Sequence, residues 1–170
     1  MKRKIIVIGM DNTGKTTLVN QLKEKLNCES IKSLGPGYTR EQMLEKVYQD
    51  LEKEELVVLE RFPIIEEMVY GNVLRNRSEF EIQDMIDIKK YNPFIIYCRP
   101  KEETIFNFGT REQMKGVIEE KNELLLTFDW LIYLLSRKGF DIKLYDYEKD
   151  KPEDLIMLYE SEVEHEHHSR

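Results

Sequence analysis

Apolar positions follow two rhythms along this chain. Three short runs are continuously apolar: "KIIVI" (4–8), "LVVLE" (56–60) and "PFIIYC" (93–98). Unbroken runs of this length suit strands buried on both faces, as in a parallel sheet. "SIKSL" (30–34) is a shorter strand candidate stopped by the turn "GPG" (35–37), and "FDIKLYDY" (140–147) alternates as an edge strand does. Between these runs the period lengthens. Leu18, Leu22 and Leu26 lie four apart within 15–26, and Met43, Val47 and Leu51 share a face within 40–53, both marks of amphipathic helices. Pro63 fits the first turn of a helix to about Arg75. Ser78, with Glu81 three residues on, predicts a capping box and a helix to about Lys90. A long amphipathic helix is expected over 118–138 and a closing one over 152–162. Strands alternating with helices predict an α/β fold with a five-stranded parallel, doubly wound sheet. Ligands of such sheets bind beyond the carboxyl ends of the strands, so the residues just after each strand are the ones to inspect.

Composition narrows the picture. No linker or repeat divides the 170 residues, so one domain is expected over 1–162, followed by a polar tail at 163–170. The tail, "ESEVEHEHHSR", reads as a frayed, solvated end rather than a metal site. A net charge of −7 argues against a protein that coats DNA or RNA, so nucleic acid is not the expected partner. Cys28 and Cys98 both flank predicted strands and read as buried thiols. No apolar run approaches the ~18 residues of a membrane span, and no membrane partner is expected. The basic start "MKRK" leads straight through an apolar run into a glycine loop, too short for a secretory signal, so a cytoplasmic placement is expected.

The chemistry begins with that loop. "GMDNTGKTT" (9–17) places Gly9, Gly14, Lys15 and Thr16 in the pattern G-x-x-x-x-G-K-[ST], between a predicted strand and a predicted helix. A chain that wraps a phosphate with inward-pointing N–H groups needs glycines there, and the helix that follows aims its positive end at the same point. Lys15 is expected at the β- and γ-phosphates and the Thr16 hydroxyl at Mg²⁺. The third predicted strand ends in Glu60 and Arg61. A GTP switch would carry Asn-Lys-x-Asp after a strand, and the sequence has no such stretch. A motor ATPase would end a strand in Asp-Glu. An acid followed by an arginine suits transfer to a bound acceptor better than attack by water.

Taken together, "GMDNTGKTT", "LERFP", "YCRP" and a polar stretch with arginine resemble the thymidylate kinase family and its deoxynucleoside kinase relatives, over about 1–160. The short kinases of this group that bacteriophages encode are the nearest pattern. The resemblance implies a three-layer P-loop kinase fold, with helices on both faces of a five-stranded sheet and a lid at about 101–117. It implies Mg²⁺ and ATP, the nucleotide lying on Gly9, Asp11, Asn12, Thr13, Gly14, Lys15, Thr16 and Thr17, and the metal at Thr16 and Glu60. Asp11 matches an acid on the 3′-hydroxyl side of the acceptor. Glu60 and Arg61 match a strand-end pair in which the acid lies near metal and acceptor and the arginine grips the acceptor phosphate. In deoxynucleoside kinases the same glutamate takes the proton of the 5′-hydroxyl, so this pair leaves nucleoside and monophosphate acceptors both open. Tyr70 in "MVYGN" matches a tyrosine that packs on deoxyribose, one residue further from Arg61 than in the family. Asn12 stands where some thymidylate kinases carry an arginine that reaches the transferring phosphate. Members without it bring an arginine from the lid, here Arg111, with Lys115 second and Arg99, after the fourth strand, as a further substrate-binding cation. The family's arginine after the second strand has no clear counterpart in "SIKSLGPGYTR".

The expected activity is ATP-dependent phosphoryl transfer to a deoxynucleoside monophosphate, thymidylate-like. The alternatives are a deoxynucleoside kinase, a phage kinase acting on a hydroxymethylated pyrimidine nucleotide or DNA base, and a nucleotide-binding regulator. Small-molecule nucleotides are the expected partners, and the resemblance admits a homodimer with "MVYGNVL" as a candidate face.

Overall fold

The computed structural model describes residues 2–34, 37–109 and 112–168, with side chains to 165. Five strands form one all-parallel sheet: β1 (Ile5–Ile8), β2 (Glu29–Lys32), β3 (Val57–Glu60), β4 (Phe94–Cys98) and β5 (Asp141–Tyr145), in the spatial order β2-β3-β1-β4-β5. β1 is central, with Ile6 opposite Leu59 on one side and Ile95 on the other. Every residue of β1, β3 and β4 is buried, as their unbroken apolar runs require.

Alternation divides β1 between two cores. Ile6 and Ile8 face a large core made with α2 (Arg40–Leu51), the segment from Pro63 to Arg75, α5 (Ile82–Ile88) and α7 (Lys121–Arg137). Ile5 and Val7 face a smaller one made with α1 (Lys15–Lys25) and α8 (Pro152–His168). The result is the three-layer α/β arrangement that the alternation predicts. Among the described residues no helix is long and apolar enough to cross a membrane.

The segment after β3 is not a uniform helix. α3 (Pro63–Glu66) passes through one π-helical turn (Glu67–Gly71) into α4 (Asn72–Arg75). Met68, Val69, Tyr70 and Gly71 are buried, so most of "MVYGNVL", the candidate dimer face, points inward. The capping box of α5 also differs from expectation. It is formed by Glu81 and Asp84, while Ser78 accepts a bond from the Phe80 amide at 3.0 Å. A short helix, α6 (Glu102–Ile105), opens the lid segment after β4, and α7 starts only at Lys121. α8 runs to His168, past the expected end at 162. Cys28 and Cys98 are both free thiols. Cys98 is fully buried, and burial pushes its thiol up to about 12.

Candidate active site

The phosphate loop joins β1 to α1, and its backbone explains its glycines. Gly9 has φ +140°, and a Cβ there would meet the Cys98 carbonyl oxygen at 2.6 Å. Gly14, the residue before α1, has φ +82°, and its Cβ would strike the Tyr147 ring at 2.7 Å. Neither place admits a side chain. Thr13 is buried, and its hydroxyl donates to the Met10 carbonyl at 2.8 Å.

Lys15 is 5% exposed and its ammonium donates to the Met10 carbonyl. Burial pushes its pKa down, and Glu66, the largest opposing influence, holds it up. A buried ammonium at the N-terminus of a helix is poised for an anion. Thr16 Oγ1 donates to Glu60 Oε1 at 2.6 Å, so the start of α1 and the end of β3 meet at a hydroxyl and a carboxylate. Both are hard oxygen donors, the kind Mg²⁺ takes from a protein when phosphates and water supply the rest.

Arg61 follows with its backbone in the left-handed region, φ 67°. That conformation is costly for a long side chain and tends to persist where the surroundings enforce it. Here its N–H bonds the Val7 carbonyl at 2.8 Å, which turns the chain off the sheet and aims the guanidinium back at the phosphate loop. One guanidinium nitrogen pairs with Asp11 and another with Glu66 Oε2 at 3.2 Å. Burial opposes the charge, but Glu66 and then Asp11 keep Arg61 firmly protonated.

Glu66 and Tyr70 lie one turn apart beneath this pair. The Glu66 Oε1 atom and the Tyr70 hydroxyl are both buried without a hydrogen-bond partner. Burial raises the Glu66 pKa against the pull of Arg61 and Lys15, and burial likewise raises that of Tyr70, with Glu66 adding to it. The Tyr70 ring packs edge-on against Phe128, which stacks on Tyr97. Tyr70 therefore sits under Asp11 and Arg61 rather than on the wall of the cleft.

The cleft itself has a volume of about 890 Å³. Residues Asp11 to Leu18 line its floor, and Glu60, Arg61 and Lys32 line one wall. Tyr145, Tyr147, Asp150 and Lys151 form the opposite wall, and Glu112 and Gln113 of the lid segment approach it too. Lys32, directly across the ladder from Glu60, supplies a cation that sequence reasoning missed. Glu66 was missed as well.

Two expected residues fall elsewhere, and a third, Arg111, is not among the described residues. Arg99 is turned towards α7, with Nε and Nη2 on the Asp129 carboxylate at 2.9–3.2 Å, and it does not line the cleft. Lys115 is exposed on the lid segment. Asn12 has φ 65°, and its amide donates to the carbonyls of Thr104 at 2.7 Å and Asn107 at 2.9 Å, tying the phosphate loop to the base of the lid.

A family model described as "50S ribosome-binding GTPase" matches residues 4–160. The chain belongs to this family of P-loop NTPases. No curated protein sequence matches the NTPase significantly. Solved structures share its fold. YorR protein from Bacillus subtilis, solved in complex with phosphorylated GDP, superposes with a TM-score of 0.73 at 19% identity, covering 97% of this chain and 98% of that one. Deoxyadenosine kinase from M. mycoides, solved with its products dCMP and dCDP, gives 0.63 at 19% identity, covering 94% and 99%. Shikimate kinase from Aquifex aeolicus gives 0.60 at 15% identity, covering 93% and 96%. At these identities the likeness is one of fold: the NTPase has the P-loop kinase architecture, and two of these neighbours are kinases.

Proposed function

We propose that the NTPase transfers the γ-phosphoryl group of ATP to a deoxynucleoside monophosphate, with thymidylate as the model acceptor. The observation that carries this reading is the placement of Arg61. A strained backbone conformation holds its guanidinium against Asp11 at the edge of the phosphate cleft, and Lys32 flanks the same wall. Two cations beside the phosphate loop suit the phosphate of an acceptor.

The chemistry follows from the charges. The triphosphate lies on the loop from Gly9 to Thr17, with Lys15 at its β- and γ-oxygens. Thr16 and Glu60 would hold Mg²⁺, which would supply positive charge beside the phosphates. Arg61 and Lys32 orient the acceptor so that an oxygen of its phosphate attacks the γ-phosphorus in line. The bond from that phosphorus to the ADP oxygen breaks as the new one forms. Asp11, on the acceptor side of the loop, receives the sugar hydroxyl. Arg111, from the lid, supplies the remaining positive charge.

A second reading has its own observation. Guanidinium nitrogens of Arg61 already serve Asp11 and Glu66, an arrangement that also suits a neutral hydroxyl acceptor, as in a deoxynucleoside kinase. One experiment separates the cases. ATP or GTP is supplied with a panel of nucleosides and monophosphates, and the phosphorylated product is identified. The proposal expects a diphosphate formed in step with ADP. Faster turnover of nucleosides would favour the second reading, and inorganic phosphate released from GTP at an acceptor-independent rate would make the protein a GTP hydrolase.

A further inference from the structure

Glu66 is an acid in an apolar setting. The residues before it on α3, Pro63, Ile64 and Ile65, are buried, and so are Met68 and Val69 of the π-helical turn that follows. Its own side chain is 14% exposed. One carboxylate oxygen, Oε2, accepts from Arg61 Nη1 at 3.2 Å, and the other, Oε1, is buried without a hydrogen-bond partner. A buried acid with one oxygen unsatisfied is costly, and an apolar side chain of similar volume would make a more stable core. Stability therefore does not account for an acid at this position. A local rule broken at a cost points to function, and the function is to be sought in what the acid touches.

It touches Arg61, whose guanidinium stands between two acids at different depths. Asp11 pairs with Nη2 and is 29% exposed at the cleft, whereas Glu66 takes Nη1 from beneath. The hydrogen bonds of the Arg61 side chain leave from these two nitrogens, and Nε makes none among the described residues. Nε and Nη2 together form an edge that can meet a phosphate with two parallel bonds. Glu66 holds the nitrogen that does not belong to that edge. The backbone of Arg61 is fixed by its φ of 67° and its bond to the Val7 carbonyl, but a long side chain beyond a fixed backbone still has many rotamers to lose.

Resting on the acceptor reading above, we propose that Glu66 is a positioning residue for the acceptor phosphate: it holds Arg61 by Nη1 so that the edge of Nε and Nη2 is presented to that phosphate. Asp11 lies on the cleft side and is the more open to water, so its contact is the one an incoming phosphate replaces, which releases Asp11 for the sugar hydroxyl. The Glu66 contact lies beneath and stays. A guanidinium held in advance loses less freedom when the acceptor binds. Glu66 acts through Arg61 and touches neither substrate.

The test is a double-variant cycle read by titration calorimetry, with dTMP as the probe and ATP titrated separately. Glu66→Leu removes the accepting oxygen and keeps the site filled. It should weaken dTMP binding at least about ten-fold, the scale of one hydrogen bond to a charged group. In an Arg61→Ala background it should have no further effect, because the group it positions is gone. Glu66 also acts on Lys15 through its charge, so any change in ATP affinity should be equal in the two backgrounds. Glu66→Gln keeps an oxygen at the same reach and should recover most of the loss. Circular dichroism checks each fold, and Glu66→Ala repeats the cycle if Glu66→Leu unfolds. A parent that binds no dTMP overturns the acceptor reading and this proposal together. With dTMP bound by the parent, this proposal alone falls if Glu66→Leu binds it as tightly, if the loss is the same with and without Arg61, or if Glu66→Gln is as weak as Glu66→Leu.

Discussion

The bond between the phosphate loop and the lid can be cut at one side chain. Asn12 Nδ2 donates to the carbonyls of Thr104 and Asn107 at 2.7 and 2.9 Å, with Ile105 at a weaker 3.4 Å. These are carbonyls of the end of α6 and the residues after it, where the helix hydrogen bonding runs out. Asn12→Gly removes the amide and keeps the left-handed backbone at no cost, since glycine adopts φ 65° freely. Two hydrogen bonds, one partly buried and one exposed, at ~0.5–1.5 kcal/mol each put the loop–lid coupling at about 1–3 kcal/mol. That corresponds to a ~5–150-fold rise in the opening of the lid base. Native-state hydrogen exchange read by mass spectrometry measures it directly, on amides 106–109 and 112–117, with the buried strand β1 as the internal reference. Asn12→Asp should loosen the lid further, because a carboxylate accepts only and would face the same carbonyl oxygens. Unchanged exchange in the lid of Asn12→Gly, with β1 also unchanged, would refute the latch.

Four further outcomes follow from the site. Lys15→Ala should abolish phosphoryl transfer with the circular dichroism spectrum preserved, since no other cation sits within the loop; half the parent rate would refute its role. Arg61→Ala should raise the KM for a monophosphate acceptor far more than that for a nucleoside, and equal effects would assign Arg61 to ATP or to the fold. Glu66→Gln should gain in melting temperature relative to the parent as pH rises from the ordinary carboxyl value of 4.5, because burial raises the folded pKa and the parent loses stability while its carboxyl ionises in the unfolded chain but stays protonated in the fold, the loss ending once the folded carboxyl ionises too; a difference that stays constant with pH would refute it. Arg111→Ala should lower turnover about 10²–10³-fold, the scale of one transition-state charge contact, while ATP binding to the free enzyme changes little, and a crystal structure with both substrates and Arg111 in bulk solvent would return the role to another cation.

How much of this was legible in the sequence depends on range. The strands β1, β3 and β4 are legible because burial on both faces leaves an unbroken apolar run, a strictly local signal. The phosphate loop is legible because it is built from consecutive residues. The box at α5 shifted by three residues because Phe80, 2% exposed, is anchored in the core and delays the helix until Glu81. Arg99 follows a strand at the ligand-binding edge, as a substrate contact would, but Asp129, thirty residues later on α7, captures it. Nothing in the spacing announces that pair. Glu66 is one acid in "PIIEEM". Its significance depends on Arg61 turning left-handed at the strand end, which folds the guanidinium over the helix that carries Glu66. Pairings made by the fold, rather than by neighbouring residues, are the part that sequence does not announce.

On the proposed function, the charges of the cleft call for a further cation. Among the described residues that line it, Asp11, Glu60, Glu112 and Asp150 offset Lys15, Lys32, Arg61 and Lys151, so the cleft is close to neutral. A triphosphate and a monophosphate together bring roughly five to six negative charges. In a neutral cleft two such anions repel each other at short range, and the attack that joins them is the step most penalised. Mg²⁺ at Thr16 and Glu60 would answer part of that excess. On the proposed function, the rest would come from a segment tethered near the phosphates. The stretch beginning at α6 meets that condition. Its base is tied to Asn12 of the loop, and the Thr104 hydroxyl also donates to Glu148 Oε1 at 2.8 Å, next to Tyr147 of the far wall. On the proposed function, this would let Asn12 stand where some thymidylate kinases carry an arginine: the asparagine holds the base of the segment, and a cation of that segment would supply the charge.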